Sequence, residues 1–148
     1  MSKNHEFYIN QVLDLAENQS KNGSGEVPVA SLVVWNNEII GLGTNSREQD
    51  KSILGHAEIN ALQAAVKFKG SWNLSDCTIY VSLEPCAMCA GAILQAHIKT
   101  IVFSAYDIKS GALGSRYDLT TSETQVIGGI CEDRAVGILR QFFLNKRQ

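Results

Sequence analysis

Four side chains in two short segments, GHAEINAL at 55–62 and LEPCAMCAGA at 83–92, have types and spacings suited to chemistry. Cys86 and Cys89 are three residues apart, and positions i and i+3 share a helix face, so both sulfurs can reach one point. By itself a C-x-x-C fits a redox dithiol, half of a structural zinc site, part of a catalytic zinc site, or no site at all. His56 offers a third ligand from upstream. A structural zinc is normally closed by four protein groups, whereas a catalytic one keeps a position for water, so three ligands point to catalysis. The soft S2N donor set suits zinc, and helix N-termini favour thiolates. Glu58 lies two residues after His56. Such a pair does not share a face within a regular helix, so the two converge only in its first turn, where side chains splay around the open end. There the carboxylate can take a proton from water and return it later, as a general acid/base must.

For these groups to meet, two helix starts must emerge at one edge of a sheet. Residues 6–19 put Phe7, Ile9, Val12, Leu13, Leu15 and Ala16 on a broad face, a first helix ended by NGSG at 22–25. VPVASLVVW (27–35) and EIIGLGT (38–44) are β-rich runs flanking Asn36-Asn37. That pair reads as a tight hairpin turn, because Asn tolerates positive φ. After a polar loop at 45–55, a second helix starts near His56 and carries Ile59, Leu62, Ala65, Val66 and Phe68. CTIYVSL (77–83) reads as a buried strand, and Pro85 suits the first turn of a helix running to about Gln95. TIVFSA (100–105) is a further strand, followed by a loop from Asp107 to Ser115, a short strand at 125–127 and a closing helix at 131–144. The order α-β-β-α-β-α-β-β-α predicts an α/β fold on a mixed sheet, with residues 1–148 as one domain.

The 148 residues, 45% hydrophobic and 19% charged, suffice for one ordinary core. The first residues lack the apolar stretch of a signal peptide, and no apolar run approaches the roughly 18 residues of a membrane span. The expected location is therefore cytoplasmic, with no membrane partner, and disulfides are not expected there. Cys77 and Cys131 have no partner at ligand spacing and read as buried, inert thiols. A net charge of −2 speaks against a broad, non-specific nucleic-acid binder. It leaves room for two local basic groups, Arg140 with Lys146 and Arg147, and Lys99 with Lys109 and Arg116.

His56-Ala57-Glu58 followed by Pro85-Cys86-Ala87-Met88-Cys89 is the H-x-E…P-C-x-x-C signature of zinc nucleobase deaminases. Around it stand EVPV at 26–29, Asn45, LEPCAMCAGAI at 83–93 and AYDIKSGALGS at 105–115. On these pieces the chain resembles the bacterial tRNA adenosine deaminases of the TadA type, in the cytidine/deoxycytidylate deaminase superfamily. The resemblance runs from about Glu26 to the C-terminal helix. It implies a cytidine-deaminase-like three-layer α/β/α fold with a central mixed five-stranded sheet. It implies one Zn2+ per subunit, held by His56, Cys86 and Cys89, with Glu58 as the proton shuttle. Asn45 would hydrogen-bond the flipped base, Val27, Pro28, Val29 and Ala57 would border it, and Asp107 would lie near the RNA backbone. The implied partner is a tRNA anticodon stem-loop, whose wobble adenosine becomes inosine, and the implied assembly is a homodimer touching RNA with both subunits. Two departures concern the surroundings: SILG (52–55) stands where relatives commonly carry an Asp-Pro-Thr-Ala-like segment, and Ala30 stands where Gly often follows EVPV.

The nearest rival is a deaminase of a free base, nucleoside or nucleotide, such as guanine, cytidine or deoxycytidylate, which uses the same metal chemistry. The 105–115 segment favours the tRNA-editing branch. A zinc-stabilised scaffold has no need of Glu58, and a redox dithiol explains neither His56 nor Glu58. Phe142 and Phe143 have the chemistry to stack on RNA bases, although adjacent aromatics on a terminal helix more often include a core residue.

Overall fold

The computed structural model describes residues 4–146. Asn4 starts helix α1 (His5–Lys21) by accepting a hydrogen bond from the Phe7 N–H at 2.9 Å. Tyr8, Ile9, Val12, Leu13 and Ala16 are its buried stripe. Phe7, expected inside, points outward, and Tyr8 takes the inner place because its hydroxyl finds the Asn37 carbonyl at 3.1 Å.

Five strands follow the expected runs: β1 (Ala30–Trp35), β2 (Glu38–Thr44), β3 (Thr78–Leu83), β4 (Thr100–Ala105) and β5 (Gln125–Ile127). Their lateral order is β2-β1-β3-β4-β5. β1 runs antiparallel to both neighbours, while β3, β4 and β5 are mutually parallel. The hairpin between β1 and β2 turns through Asn36 (φ 51°) and Asn37 (φ 61°), the two left-handed residues that a twisted two-residue hairpin needs. The first strand begins at Ala30 rather than at residue 27. Val29 N–H bonds back to the Val27 carbonyl at 2.9 Å, closing a tight turn around Pro28, which itself has no N–H to offer a ladder.

Helices α2 (Ala57–Lys69) and α3 (Ala87–Gln95) cover one face of the sheet, and α1 with α4 (Glu132–Lys146) cover the other. Strand alternation divides the core accordingly. Val33, Ile79, Val81, Ile101 and Phe103 face α2 and α3, whereas Leu32, Val34, Tyr80 and Val102 face α1 and α4. The result is the three-layer α/β/α arrangement on a mixed five-stranded sheet. No helix among the described residues is long and apolar enough to cross a membrane.

Helix α2 lies unusually close to β2. A Cβ at Gly43 would collide with the Ala57 carbonyl and the Ala61 N–H, and one at Gly41 with Ala61 and Ala65. The small residues Ala57, Ala61 and Ala65 recur every four positions and are fully buried against these glycines. Gly43→Ala is therefore expected to destabilise the fold by roughly 1–3 kcal/mol, the usual range for overpacking. Thermal denaturation should show a midpoint several degrees lower; an unchanged midpoint would mean that α2 can shift outward freely.

Candidate active site

The strand directions gather one edge of the sheet into a site. β2, β3 and β4 run the same way, so their C-terminal ends emerge together, next to the N-terminal end of the antiparallel β1. In sheets of this type ligands bind outside such strand ends. The cavity there, of about 380 Å³, draws Val27 and Val29 from before β1 and Asn45 from after β2. The segment after β3 contributes Glu84 and Cys86, and that after β4 contributes Asp107 and Ser110. Its volume falls in the range of small-molecule sites.

His56 and Cys86 occupy equivalent places. Each is the N-cap of its helix, with extended backbone (φ −101°, ψ 148° and φ −73°, ψ 175°). N-caps normally turn their side chains onto the open N–H groups; here the His56 ring turns to the two cysteines instead, and the Cys86 sulfur faces it while drawing on the N–H groups of Met88 and Cys89. Pro85 stands outside the helix whose first turn it was expected to fill. Its carbonyl accepts the Ala112 N–H at 2.8 Å, and Cys86 forms a β-bridge with Gly111, so the chain stays extended one residue longer. Cys89, in the first turn of α3, then reaches the same point as Cys86.

His56, Cys86 and Cys89 bring their ligand atoms within 4.8 Å of one another. Nδ1 of His56 lies 3.7 Å from the Cys86 sulfur and 3.4 Å from that of Cys89. In a tetrahedral zinc centre, Zn–S near 2.3 Å and Zn–N near 2.0–2.1 Å put nitrogen and sulfur about 3.5 Å apart. The donor set therefore fits zinc in both chemistry and spacing. The Cys86 thiol is lowered to about 5, first by the hydrogen bond from Cys89 and then, against a desolvation cost, by the N–H groups of Cys89 and Met88 and by His56. Cys89 is raised by giving that hydrogen bond and by burial. Without metal the pair shares one proton.

Glu58 is the second residue of α2 and is 96% buried beside these ligands, being 4% exposed. Burial pushes its carboxyl up to about 7, with the charge on Cys86 adding to the effect. A carboxyl poised near neutrality both takes and gives protons there.

The remaining expected residues separate into two groups. Val27 and Val29 line the cavity, whereas Pro28 is buried behind them and Ala57 is sealed inside the fold. Asn45 lines the cavity, but its side chain also braces it, donating to the Val27 carbonyl at 3.0 Å and accepting from the Ala57 N–H at 2.9 Å. One amide hydrogen and one oxygen lone pair remain for a ligand. Asp107 caps a turn through Oδ1, which accepts from Lys109 N–H and Ser110 N–H, and it lines the cavity as well. Two carboxylates that no spacing rule singled out flank the site. Glu26 accepts from the N–H groups of Glu48 and Gln49, holding the 46–55 loop, and Glu84 holds the loop after β4. Both stand inside quoted motifs, Glu26 in EVPV and Glu84 in LEPC, but a carboxylate in a motif has no evident role until the fold buries it.

Elsewhere, Cys77 is buried as expected, while Cys131 is only half-buried, because it sits in a left-handed turn (φ 57°) just before α4. Phe142 is half-buried and Phe143 exposed, their rings edge to face at 5.2 Å. Lys146 lines the cavity; Arg147 lies outside the described residues.

Three histidine and cysteine ligands at paired helix starts, with a buried glutamate beside them on this sheet, define a hydrolytic deaminase of the cytidine-deaminase-like class. The chain belongs to the MafB19-like deaminase family, whose profile matches residues 3–147. It is 35% identical, over 97% of its length and 91% of the relative's, to a tRNA-specific adenosine deaminase of Bacillus subtilis. A solved structure from work on A-to-I editing by tRNA:A34 deaminases superposes with a TM-score of 0.78 at 28% identity, covering 87% of this chain and 99% of that one. A guanine deaminase from Nitrosomonas europaea shares the fold at a TM-score of 0.79 and 24% identity, over 96% and 85% of the two chains.

Proposed function

We propose that this chain is a zinc-dependent tRNA adenosine deaminase that converts the wobble adenosine of an anticodon stem-loop to inosine. The observation that carries the chemistry is the meeting of His56, Cys86 and Cys89 beside a buried Glu58. The substrate reading rests on the tRNA-specific adenosine deaminase of Bacillus subtilis and on the tRNA:A34 deaminase structure.

His56, Cys86 and Cys89 would hold one zinc ion per subunit, which supplies the Lewis acidity that lets water lose a proton near neutral pH. Glu58 takes that proton and delivers it to N1 of adenine as the water oxygen bonds to C6. The hydroxyl proton then passes through Glu58 to the departing amine as the C6–N6 bond breaks. The products are inosine and ammonia, so every atom of the added water is accounted for. Val27 and Val29 enclose the ring, and Asn45 offers its remaining amide hydrogen and lone pair to the base edge. The adenosine must be splayed out to enter, at a cost of a few kcal/mol in a stacked duplex and less in an anticodon loop.

The charge distribution supports RNA over a free nucleotide. Glu26, Glu48, Glu58, Glu84 and Asp107 line the cavity and outnumber its two cations, Arg47 and Lys146, so the lining is acidic on balance and disfavours a phosphate. Beside it, a groove between the start of the 106–115 loop and α4 carries Lys109 and Arg140 with Tyr106 and Phe143. Neither cation has an ion-pair partner among the described residues. Cations with aromatic rings suit a single-stranded backbone and its unstacked bases.

Homodimerisation is supported by an apolar face on α2 and α3, where Ile59, Leu62, Val66, Ala92 and Ala96 surround Trp72, itself 63% exposed. Sedimentation of Trp72→Glu against wild type tests it; a monomeric wild type would reject it.

The substrate is tested by incubating zinc-loaded protein with an adenosine-34 stem-loop and, separately, with adenosine, cytidine, deoxycytidylate and guanine. Inosine at the wobble position alone is expected. Turnover of a free base with the stem-loop untouched would keep the zinc chemistry and reject the RNA substrate. Asn45→Ala should retain zinc, as measured by metal analysis, and raise KM at least several-fold, because it removes both the base contact and the brace between residues 27 and 57.

A further inference from the structure

The loop that follows β4 carries Asp107 and Ser110 into the cavity, yet its outer part has little apolar anchorage. Tyr106 is 50% exposed and Ile108 is 82% exposed, and Lys109 and Ser110 also face solvent. Beyond the buried Ala112 and Leu113 of its inner part, one buried polar side chain gathers the loop. Oε1 of Glu84 accepts from the Asp107 N–H at 3.1 Å and from the Ser115 hydroxyl. Oε2 accepts from the N–H groups of Leu113 at 3.0 Å and Ser115 at 3.2 Å. All four donors belong to the loop, and none is a cation. An ionised carboxylate, which only accepts, matches four converging donors in a way that no amide or hydroxyl does.

The backbone reinforces the same junction. Glu84 N–H donates to the Ala105 carbonyl and Ala112 N–H to the Pro85 carbonyl, both at 2.8 Å. Gly111 packs against the Glu84 carboxylate so closely that a Cβ there would overlap it. Glu84 is two residues from the ligand Cys86. The carboxylate thus ties the loop wall of the cavity to the segment that supplies a metal ligand.

We infer that Glu84 is a positioning residue for substrate recognition: its carboxylate sets Asp107 and Ser110 against the metal-side wall, so that the cavity is shaped for the bound nucleoside before it arrives. This rests on the reading above that the Asp107 loop meets substrate. The contribution belongs to binding, because the four hydrogen bonds of the Glu84 carboxylate all go to the loop and none to His56, Glu58, Cys86 or Cys89.

Glu84→Gln keeps the side-chain volume but turns an NH2 group toward N–H donors. Ser115→Ala removes a single donor and is the milder variant should Glu84→Gln fold poorly. With the substrate that wild type turns over, KM is expected to rise a few-fold in Ser115→Ala and tenfold or more in Glu84→Gln. In both, kcat should stay within about threefold and zinc at one per chain. Amide exchange should speed up at Asp107, Leu113 and Ser115 and stay unchanged in α2. A fall in kcat or zinc content at unchanged KM would overturn the inference and assign Glu84 to the metal centre; unchanged KM in both variants would overturn it too. If wild type acts on a free base instead of the stem-loop, the tRNA reading fails, while KM for that base still decides the role of Glu84.

Discussion

Glu58→Gln is expected to lower the deamination rate constant by roughly 10²–10⁴-fold, the span that positioned general acid/base catalysis supplies. Gln preserves shape and one acceptor but carries no proton to exchange, and both proton transfers of the proposed reaction pass through this carboxyl. Glu58 is not needed as a ligand, so zinc should remain at one per chain by metal analysis. A variant that retains wild-type turnover would end the proposed mechanism. The same substitution has a signature in the metal-free protein. Folding raises the Glu58 carboxyl from 4.5 to about 7 through burial, so the native state binds the proton more tightly than the unfolded chain does. Stability therefore falls as pH rises through that window, and the ionised group is a full penalty above it. Metal-free Glu58→Gln should consequently be more stable than metal-free wild type at pH 8, with the gap narrowing toward pH 4.5 in urea titrations.

Cys86→Ala is expected to weaken zinc binding by more than about 100-fold, since removing residues that merely support ligands already costs 10–100-fold. Two ligands cannot close even the three-ligand site, so activity and zinc should be lost together under mild chelation, with some loss of stability. Retention of one zinc per chain would show that Cys86 is not a ligand. In wild type, Cys86, lowered to about 5, is already a thiolate at neutral pH, while Cys89 keeps its proton. Zinc needs both as thiolates, so binding releases the Cys89 proton. Above pH 7 the apparent affinity should rise about tenfold per pH unit, as competition titrations with a chelator can measure.

How much of this was legible beforehand differs between elements. The strands were readable because alternation has a period of two, and Val33, Ile79, Val81 and Ile101 do take the opposite face from Leu32, Tyr80 and Val102. The Asn36-Asn37 turn was readable because few residues accept positive φ. Errors fell at element starts. Val27 to Val29 curl around Pro28, and Pro85 stays outside α3, because hydrogen bonds to distant segments overrule local preference. Tyr8 displaced Phe7 from the core for the same reason, its hydroxyl being satisfied from the β-hairpin.

Sequence alone determined which groups are on hand for the proposed chemistry, since His56, Glu58, Cys86 and Cys89 are specified by residue type and by spacing within two segments. Whether those segments meet was a matter of strand direction and helix approach. The parallel run of β2, β3 and β4 and the close seating of Ala57 and Ala61 on Gly43 bring the two helix starts together. The roles of Glu26 and Glu84 were decided only in three dimensions. A carboxylate in the sequence is a charge, and becomes a fastener for a loop only when burial removes water and distant backbone N–H groups take its place.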